Sequence, residues 1–179
     1  MEFSDSVGTP LNEGLSFVHN ALVGAGVREQ IRVIASGKVN TGFQIATKVA
    51  LGADMCNAAR AMMFAIGCIQ ALRCNTNKCP TGVATQDPAL MHGLVVGDKS
   101  ERVARYHKET VKSFLDVLGA TGLHAPQDLK PWYLMKRMGS GEVRSYHEIY
   151  PPTEPGSLLA TSPAGSLAEA WLRARADRF

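Results

Sequence analysis

Apolar residues recur at helical spacing from Leu15 to Val27. Leu15, Phe17, Val18, Ala21, Leu22 and Val23 lead into Gly24 and Gly26. Residues 1–14, with Ser4, Asp5, Ser6, Gly8, Pro10, Asn12 and Gly14, have the composition of a loop. In IRVIASGKVNTG the period changes. Ile31, Val33 and Ile34 form a short β-rich run that stops at Ser36-Gly37, which predicts a strand of the buried type over 31–36. Asn40 or Thr41 caps the next helix, FQIATKVALG, and Gly52 stops it. Residues 53–56 read as a second short strand. Ala59, Met62, Met63, Ile66, Ile69 and Leu72 then predict a helix running to about Leu72. Strand, helix, strand and helix over 31–73 predict a parallel α/β architecture.

Further along, Asp98 and Glu101 form a capping-box pattern before a helix at 99–118, closed by Gly119 and Gly122. PQDLKPWYLMKRM (126–138) predicts a short helix interrupted at Pro131. Residues 139–165, rich in Gly, Pro and Ser, are expected to extend over the surface. Ser166 with Glu169 is expected to cap a last amphipathic helix, SLAEAWLRARADRF. The chain contains no internal repeat.

The candidate chemistry lies in GCIQALRCNTNKCPTGVATQDP, where Cys68, Cys74 and Cys79 are spaced Cys-x5-Cys-x4-Cys. Cys68 and Cys74 are six apart and would face different sides of a continuous helix, so the helix must end near Arg73 if the two thiolates are to meet. Asn75, Thr76, Asn77, Pro80 and Gly82 supply turn chemistry that returns Cys79 toward Cys74. Buried thiols that merely pack need no metal, but two of these sit on a polar loop. Structural zinc uses four ligands with shorter spacing, and here needs Cys56 or His92 as the fourth. An iron–sulfur cluster is the better match in ligand type, with three protein ligands suiting a three-iron cluster.

Composition narrows the function classes. The chain has 179 residues, 45% of them hydrophobic, and a net charge of +3 with no basic block apart from the C-terminal arginines. That gives no case for nucleic acid. No apolar run approaches a membrane span. MEFSDSVGTP is not a signal peptide, and the four cysteines then fit a reducing cytoplasm.

A second candidate site involves the two strand ends. Ser36-Gly37-Lys38 and Cys56-Asn57-Ala58-Ala59-Arg60 each precede a helix, and small residues there let backbone N–H groups approach an anion. Lys38 and Arg60 can add charge. The plainer alternative is that Gly37 only turns the chain and Arg60 is a surface residue.

Together, IRVIASGKVNTG, ALGAD and the cysteine segment resemble the C-terminal part of the FMN-binding synthase domain of glutamate synthases. The likeness is closest to compact, archaeal-type members, and TPLNEGLSFVHNALVGAGVREQI extends it, from near residue 3 to about 155. The resemblance implies an aldolase-type TIM barrel, with residues 31–36 as its seventh strand and 53–56 as its eighth. It implies that Cys68, Cys74 and Cys79 hold a 3Fe–4S cluster. Ser36, Gly37 and Lys38, with Asn57, Ala58 and Arg60, would meet the FMN phosphate. The implied reaction is reductive amination of 2-oxoglutarate to L-glutamate through 2-iminoglutarate, with ammonia or glutamine as the nitrogen source. Electrons would come from a donor protein or an NAD(P)H-oxidising subunit, pass to the cluster and then to FMN.

The pattern departs from the family at three places. Ser36-Gly37 replaces a Gly-Gly turn, Asn75 stands where a His is usual, and Cys56 lies near the phosphate site as a small packed residue. A TIM barrel needs about 250 residues, and only its last two β/α units are found. The expected organisation is a barrel portion with the cysteine loop (1–96), a helical extension (97–138) and a tail with a terminal helix (139–179). Such a chain is a fragment of a longer product or completes a barrel with a companion subunit. The alternatives are a non-catalytic electron-transfer or assembly module and a zinc-stabilised structural domain.

Overall fold

The computed structural model describes residues 7–177. They form two compact units. The first comprises the described residues of Met1–Ala35, Ala46–Cys56 and Leu123–Phe179; the second comprises Ser36–Ile45 and Asn57–Gly122.

The order is helix α1 (Leu11–Gly24), strand β1 (Ile34–Ser36), helix α2 (Gly42–Ala50), strand β2 (Met55–Asn57) and helix α3 (Ala59–Ala65). Helices α4 (Pro88–Met91) and α5 (Val96–Ala120) follow, then strands β3 (Met135–Arg137) and β4 (Val143–Ser145), helix α6 (Tyr146–Ile149) and helix α7 (Ala168–Arg173). β1 and β2 are hydrogen-bonded neighbours, and the alternation of strand and helix over 34–65 is present as predicted. The mixed helix-and-strand class therefore holds.

In the first unit, Leu15, Ala46, Ala50, Leu51, Leu129, Leu134, Tyr146 and Leu158 are buried. Leu158 is 1% exposed and lies where Gly24 leaves room: a Cβ on Gly24 would stand 2.6 Å from the Leu158 Cγ. Asn20 ties α1 to the C-terminal segment, donating to the Pro151 carbonyl at 3.0 Å and accepting from the Thr153 N–H at 3.3 Å. The Tyr150 hydroxyl donates to Glu13 Oε1 at 2.8 Å. In the second unit, α3 packs on α5, and Val39, Ala61, Cys79, Phe114 and Leu118 are buried.

Several expectations need correction. The first helix begins at Leu11 within the expected loop, because Pro10 ends the extended approach and Glu13 favours a first turn; residues 1–6 lie outside the described residues. The buried strand over 31–36 shrinks to Ile34–Ser36, with only Ala35 buried and Ile34 51% exposed. The alternation puts Ala35 on the covered face of the two-stranded sheet and Ile34 and Ser36 on the open one. The second strand starts two residues late, at Met55.

The helix expected to reach Leu72 stops at Ala65. Gly67, at φ 105, and Cys68 close it, their N–H groups reaching the Phe64 and Met63 carbonyls at 2.9 Å each. This is the glycine-terminated helix end of the Schellman type. Asp98 does not cap α5, which begins at Val96 with no side-chain cap; Asp98 lies in its first turn beside Lys99.

The helix expected at 126–138 is two 3-10 turns and strand β3. β3 pairs antiparallel with β4 in the register Met135↔Ser145, Lys136↔Arg144 and Arg137↔Val143. The alternative partner of this stretch was in the supposed tail, so local pattern could not reveal it. Residues 139–165 accordingly contribute buried side chains as well as surface. Ser145 and Glu148 form a complete capping box at α6. The last helix spans Ala168–Arg173 and lacks the Ser166 cap; residues 178–179 of the expected helix lie outside the described residues.

Candidate functional site

All nine residues singled out in the sequence fall in the second unit: Ser36, Gly37, Lys38, Asn57, Ala58, Arg60, Cys68, Cys74 and Cys79. The turn after β1 and the turn after β2 follow two hydrogen-bonded neighbouring strands. Gly37 has φ 143 and Lys38 φ 51, so the first turn runs through left-handed backbone where a small residue is needed. Ser36, Lys38, Asn57 and Arg60 are exposed, and Ala58 is half-buried.

Beyond the first turn, Thr41 caps α2 by accepting the Gln44 N–H at 3.2 Å, while the Gln44 side chain accepts the Asn40 N–H at 2.7 Å. The Tyr106 hydroxyl of α5 donates to the Asn40 carbonyl at 2.6 Å. Asn40 Oδ1 is buried and has no hydrogen-bond partner among the described residues. An orphaned buried acceptor two residues after an anion-type turn suits a ligand that brings hydroxyl donors, as the ribityl chain of FMN does.

The cysteine loop is built on Asn77, which adopts φ 59, a conformation Asn tolerates better than most residues. Its side chain accepts the Gln86 N–H at 2.6 Å, and its carbonyl accepts the Thr85 hydroxyl at 2.7 Å. Gly82, at φ 75, packs where a Cβ would overlap the Leu90 carbonyl. Gln70 and Leu72 also have positive φ, 56 and 55. Strained backbone of this kind persists where surroundings impose it, often at functional segments.

Cys68 is half-buried, Cys74 exposed and Cys79 buried. The Gln70 N–H points to the Cys68 sulfur at 3.4 Å. The Thr81 side chain beside Cys79 Sγ, at 3.5 Å, together with the backbone N–H groups of Ala84, Thr81 and Val83, brings the Cys79 thiol down to about 7. Donors aimed at sulfur are the chemistry a ligating thiolate requires. The donor chemistry fits an iron–sulfur site. Convergence is a separate matter: among the described residues, no three His, Cys, Asp or Glu side chains are gathered as a metal site requires. Cys56 lies in the first unit, half-buried, with burial pushing its thiol up. The sequence suggested a small packed residue there.

The sequence did not point to a polar network in the first unit. Arg28 donates from Nε to His19 Nδ1 at 3.0 Å, from Nη1 to the Ile31 carbonyl at 2.8 Å, and from Nη2 to the Gly52 carbonyl at 2.8 Å and Asp54 Oδ2 at 2.9 Å. Asp54 also accepts the Val33 N–H at 2.7 Å. Burial and the Arg28 and Lys130 charges lower the His19 pKa. Asp54 is held below its ordinary range, because the Val33 and Arg28 contacts outweigh the burial that opposes them. The network borders a cavity of about 590 Å³, also lined by Lys130, Trp132 and His147. No short motif connects these positions, so only the tertiary fold exposes them. Tyr106 was missed for the same reason, whereas Thr81, two residues after Cys79, was legible in the cysteine segment itself.

Among the described residues, no helix is long and apolar enough to cross a membrane. A family model described as the conserved region in glutamate synthase matches residues 1–124. The chain is 40% identical over 142 residues to the glutamate synthase large subunit-like protein YerD of Bacillus subtilis, covering 79% of this chain and 27% of that protein. It is 34% identical over 128 residues to the archaeal glutamate synthase (NADPH) of Methanocaldococcus jannaschii, covering 72% and 25%. It is 28% identical over 170 residues to the archaeal-type glutamate synthase (NADPH) of Thermotoga maritima, covering 93% and 30%. The chain thus spans between a quarter and a third of the length of these relatives. With the family model covering well over half of its residues, the chain belongs to the glutamate synthase family.

Proposed function

We propose that this chain is the part of a glutamate synthase-type oxidoreductase that supplies one side of an FMN site and the ligands of a three-iron cluster. The observation that carries the reading is that the two strand-end turns and the whole cysteine loop belong to one compact unit. In this reading the chain forms the last two β/α units of an aldolase-type TIM barrel. The backbone of Ser36, Gly37 and Lys38 and that of Asn57 and Ala58 bind the FMN phosphate, with Arg60 adding positive charge. Cys68, Cys74 and Cys79 ligate the cluster, and the Thr81 hydroxyl and neighbouring N–H groups stabilise the Cys79 thiolate.

When bound, the cluster and the flavin supply electron relay and hydride chemistry. The chain's own contribution is to hold both at fixed positions in one unit. The reaction is the reductive amination of 2-oxoglutarate with ammonia or glutamine nitrogen to L-glutamate. Condensation releases water, and the resulting imine then takes up a hydride and a proton. The protein works in the cytoplasm, with electrons from a donor protein or an NAD(P)H-oxidising subunit.

Remaining barrel strands, from the same polypeptide or a companion subunit, complete the site. In the first unit, Ile34 (51% exposed) and Met55 (50%) are apolar positions that such strands would cover. The test is anaerobic purification of the protein at its full natural length, with iron, sulfide and flavin analysis and electron paramagnetic resonance of the oxidised form. A three-iron signal with stoichiometric FMN supports the reading, and Cys74→Ser should abolish the signal. Full iron content in that variant overturns the ligand assignment; zinc in place of iron overturns the function.

A further inference from the structure

Helix α5 makes two contacts with the segment that follows the β1 turn. The Tyr106 hydroxyl donates to the Asn40 carbonyl at 2.6 Å. Two turns further along α5, Ser113 and Phe114 lie so close to Gly42 that a Cβ there would overlap the Phe114 amide nitrogen. Phe114 is buried, so this contact is an anchor and not a passing one. Between them, the two contacts fix residues 40 and 42 at the exit of the turn Ser36-Gly37-Lys38. That turn passes through positive φ at Gly37 and Lys38. A phosphate held by backbone N–H groups is sensitive to small displacements, because each N–H must point at the anion.

We propose that Tyr106 is a positioning residue for the phosphate turn: its hydroxyl, working through the Asn40 carbonyl, sets the turn in the geometry that binds the flavin phosphate. The proposal rests on the FMN reading given above. Tyr106 never touches the ligand in this arrangement. Its effect is greatest at the phosphate end, since Ser36, Gly37 and Lys38 are the residues that meet the phosphate in this reading, while the Asn40 side-chain oxygen would meet the ribityl chain that FMN and riboflavin share. Losing one hydrogen bond and leaving a carbonyl unpaired should weaken phosphate-dependent binding about 3–10-fold.

The experiment compares FMN with riboflavin, which lacks the phosphate, by flavin fluorescence titration of the full-length protein and its Tyr106→Phe variant. The expected result is FMN binding weakened more than riboflavin binding, so that the ratio of the two affinities falls. A purely structural role for Tyr106 would weaken both ligands together and leave the ratio intact, which would overturn the proposal, as would an unchanged FMN affinity. Should the Phe variant not fold, Tyr106→His keeps a ring with a shorter N–H donor and is read by the same ratio. Wild-type protein that binds neither flavin would instead refute the FMN reading itself, so the two failures are distinct.

Discussion

Gly42 and Phe114 meet backbone to backbone, with no room for a side chain between them: a Cβ on Gly42 would overlap the Phe114 amide nitrogen. Gly42→Ala sets two effects against each other. Alanine favours helix by up to about 1 kcal/mol over glycine, and less at the first residue of a helix. The overlap is with backbone, which cannot swing aside as a flexible side chain would. Overpacking of this kind costs about 1–3 kcal/mol or more, so the clash wins. Urea denaturation should show the variant less stable; equal or greater stability would mean that α5 does not press on Gly42.

The His19–Arg28–Asp54 network predicts a pH dependence with two windows. The His19 pKa is lowered in the fold from its ordinary 6.5. The unfolded chain therefore takes up a proton first as pH falls, and stability declines from about pH 6.5 down to the lowered value. Asp54 is depressed from its ordinary 3.8. Its contribution is present above that value and is lost only as pH falls through the depressed one. His19→Gln should remove the upper window and leave the lower. A stability profile between pH 5 and 7 that is identical in wild type and variant would show that His19 does not carry this linkage.

Leu158 tests whether the C-terminal segment belongs to the core. At 1% exposure, against the surface that Gly24 leaves open, its truncation to alanine should cost about 2–5 kcal/mol. A surface tail would lose almost nothing. Thermal denaturation of Leu158→Ala distinguishes the two.

This segment also shows what the sequence made legible. The strand–helix alternation over 34–65 could be read because each element carried its own signal: β-branched residues before Ser36-Gly37, then Thr41 and Gly52 bounding a helix. The hairpin of β3 and β4 had no such signal. Met135, Lys136 and Arg137 are all exposed and their partner Val143–Ser145 lies beyond a Gly-Ser-Gly turn, so pairing, not composition, made the strand. The early end of α3 was legible in principle, because Gly67 stands directly before Cys68. The apolar positions Ile69 and Leu72 outvoted it, and both prove exposed, at 65% and 64%. For the candidate site, the residue types could be read along the chain. Partners such as Tyr106 on Asn40, 66 positions apart, belong to the fold alone.

Asn77 organises the cysteine loop in two separable ways, and substitutions can divide them. Its φ of 59 favours Asn or Gly over other residues. Its side-chain oxygen accepts the Gln86 N–H at 2.6 Å and lies 3.1 Å from the Thr85 hydroxyl. Asn77→Gly keeps the backbone conformation and loses only the hydrogen bonds, worth about 0.5–1.5 kcal/mol each. Asn77→Ala loses the bonds and adds left-handed strain of about 1 kcal/mol. The alanine variant should therefore open the loop more than the glycine variant, and both more than wild type. Amide hydrogen exchange over residues 74–87 reads the order directly. Equal exchange in all three proteins would mean that the loop is held elsewhere and that Asn77 only decorates it.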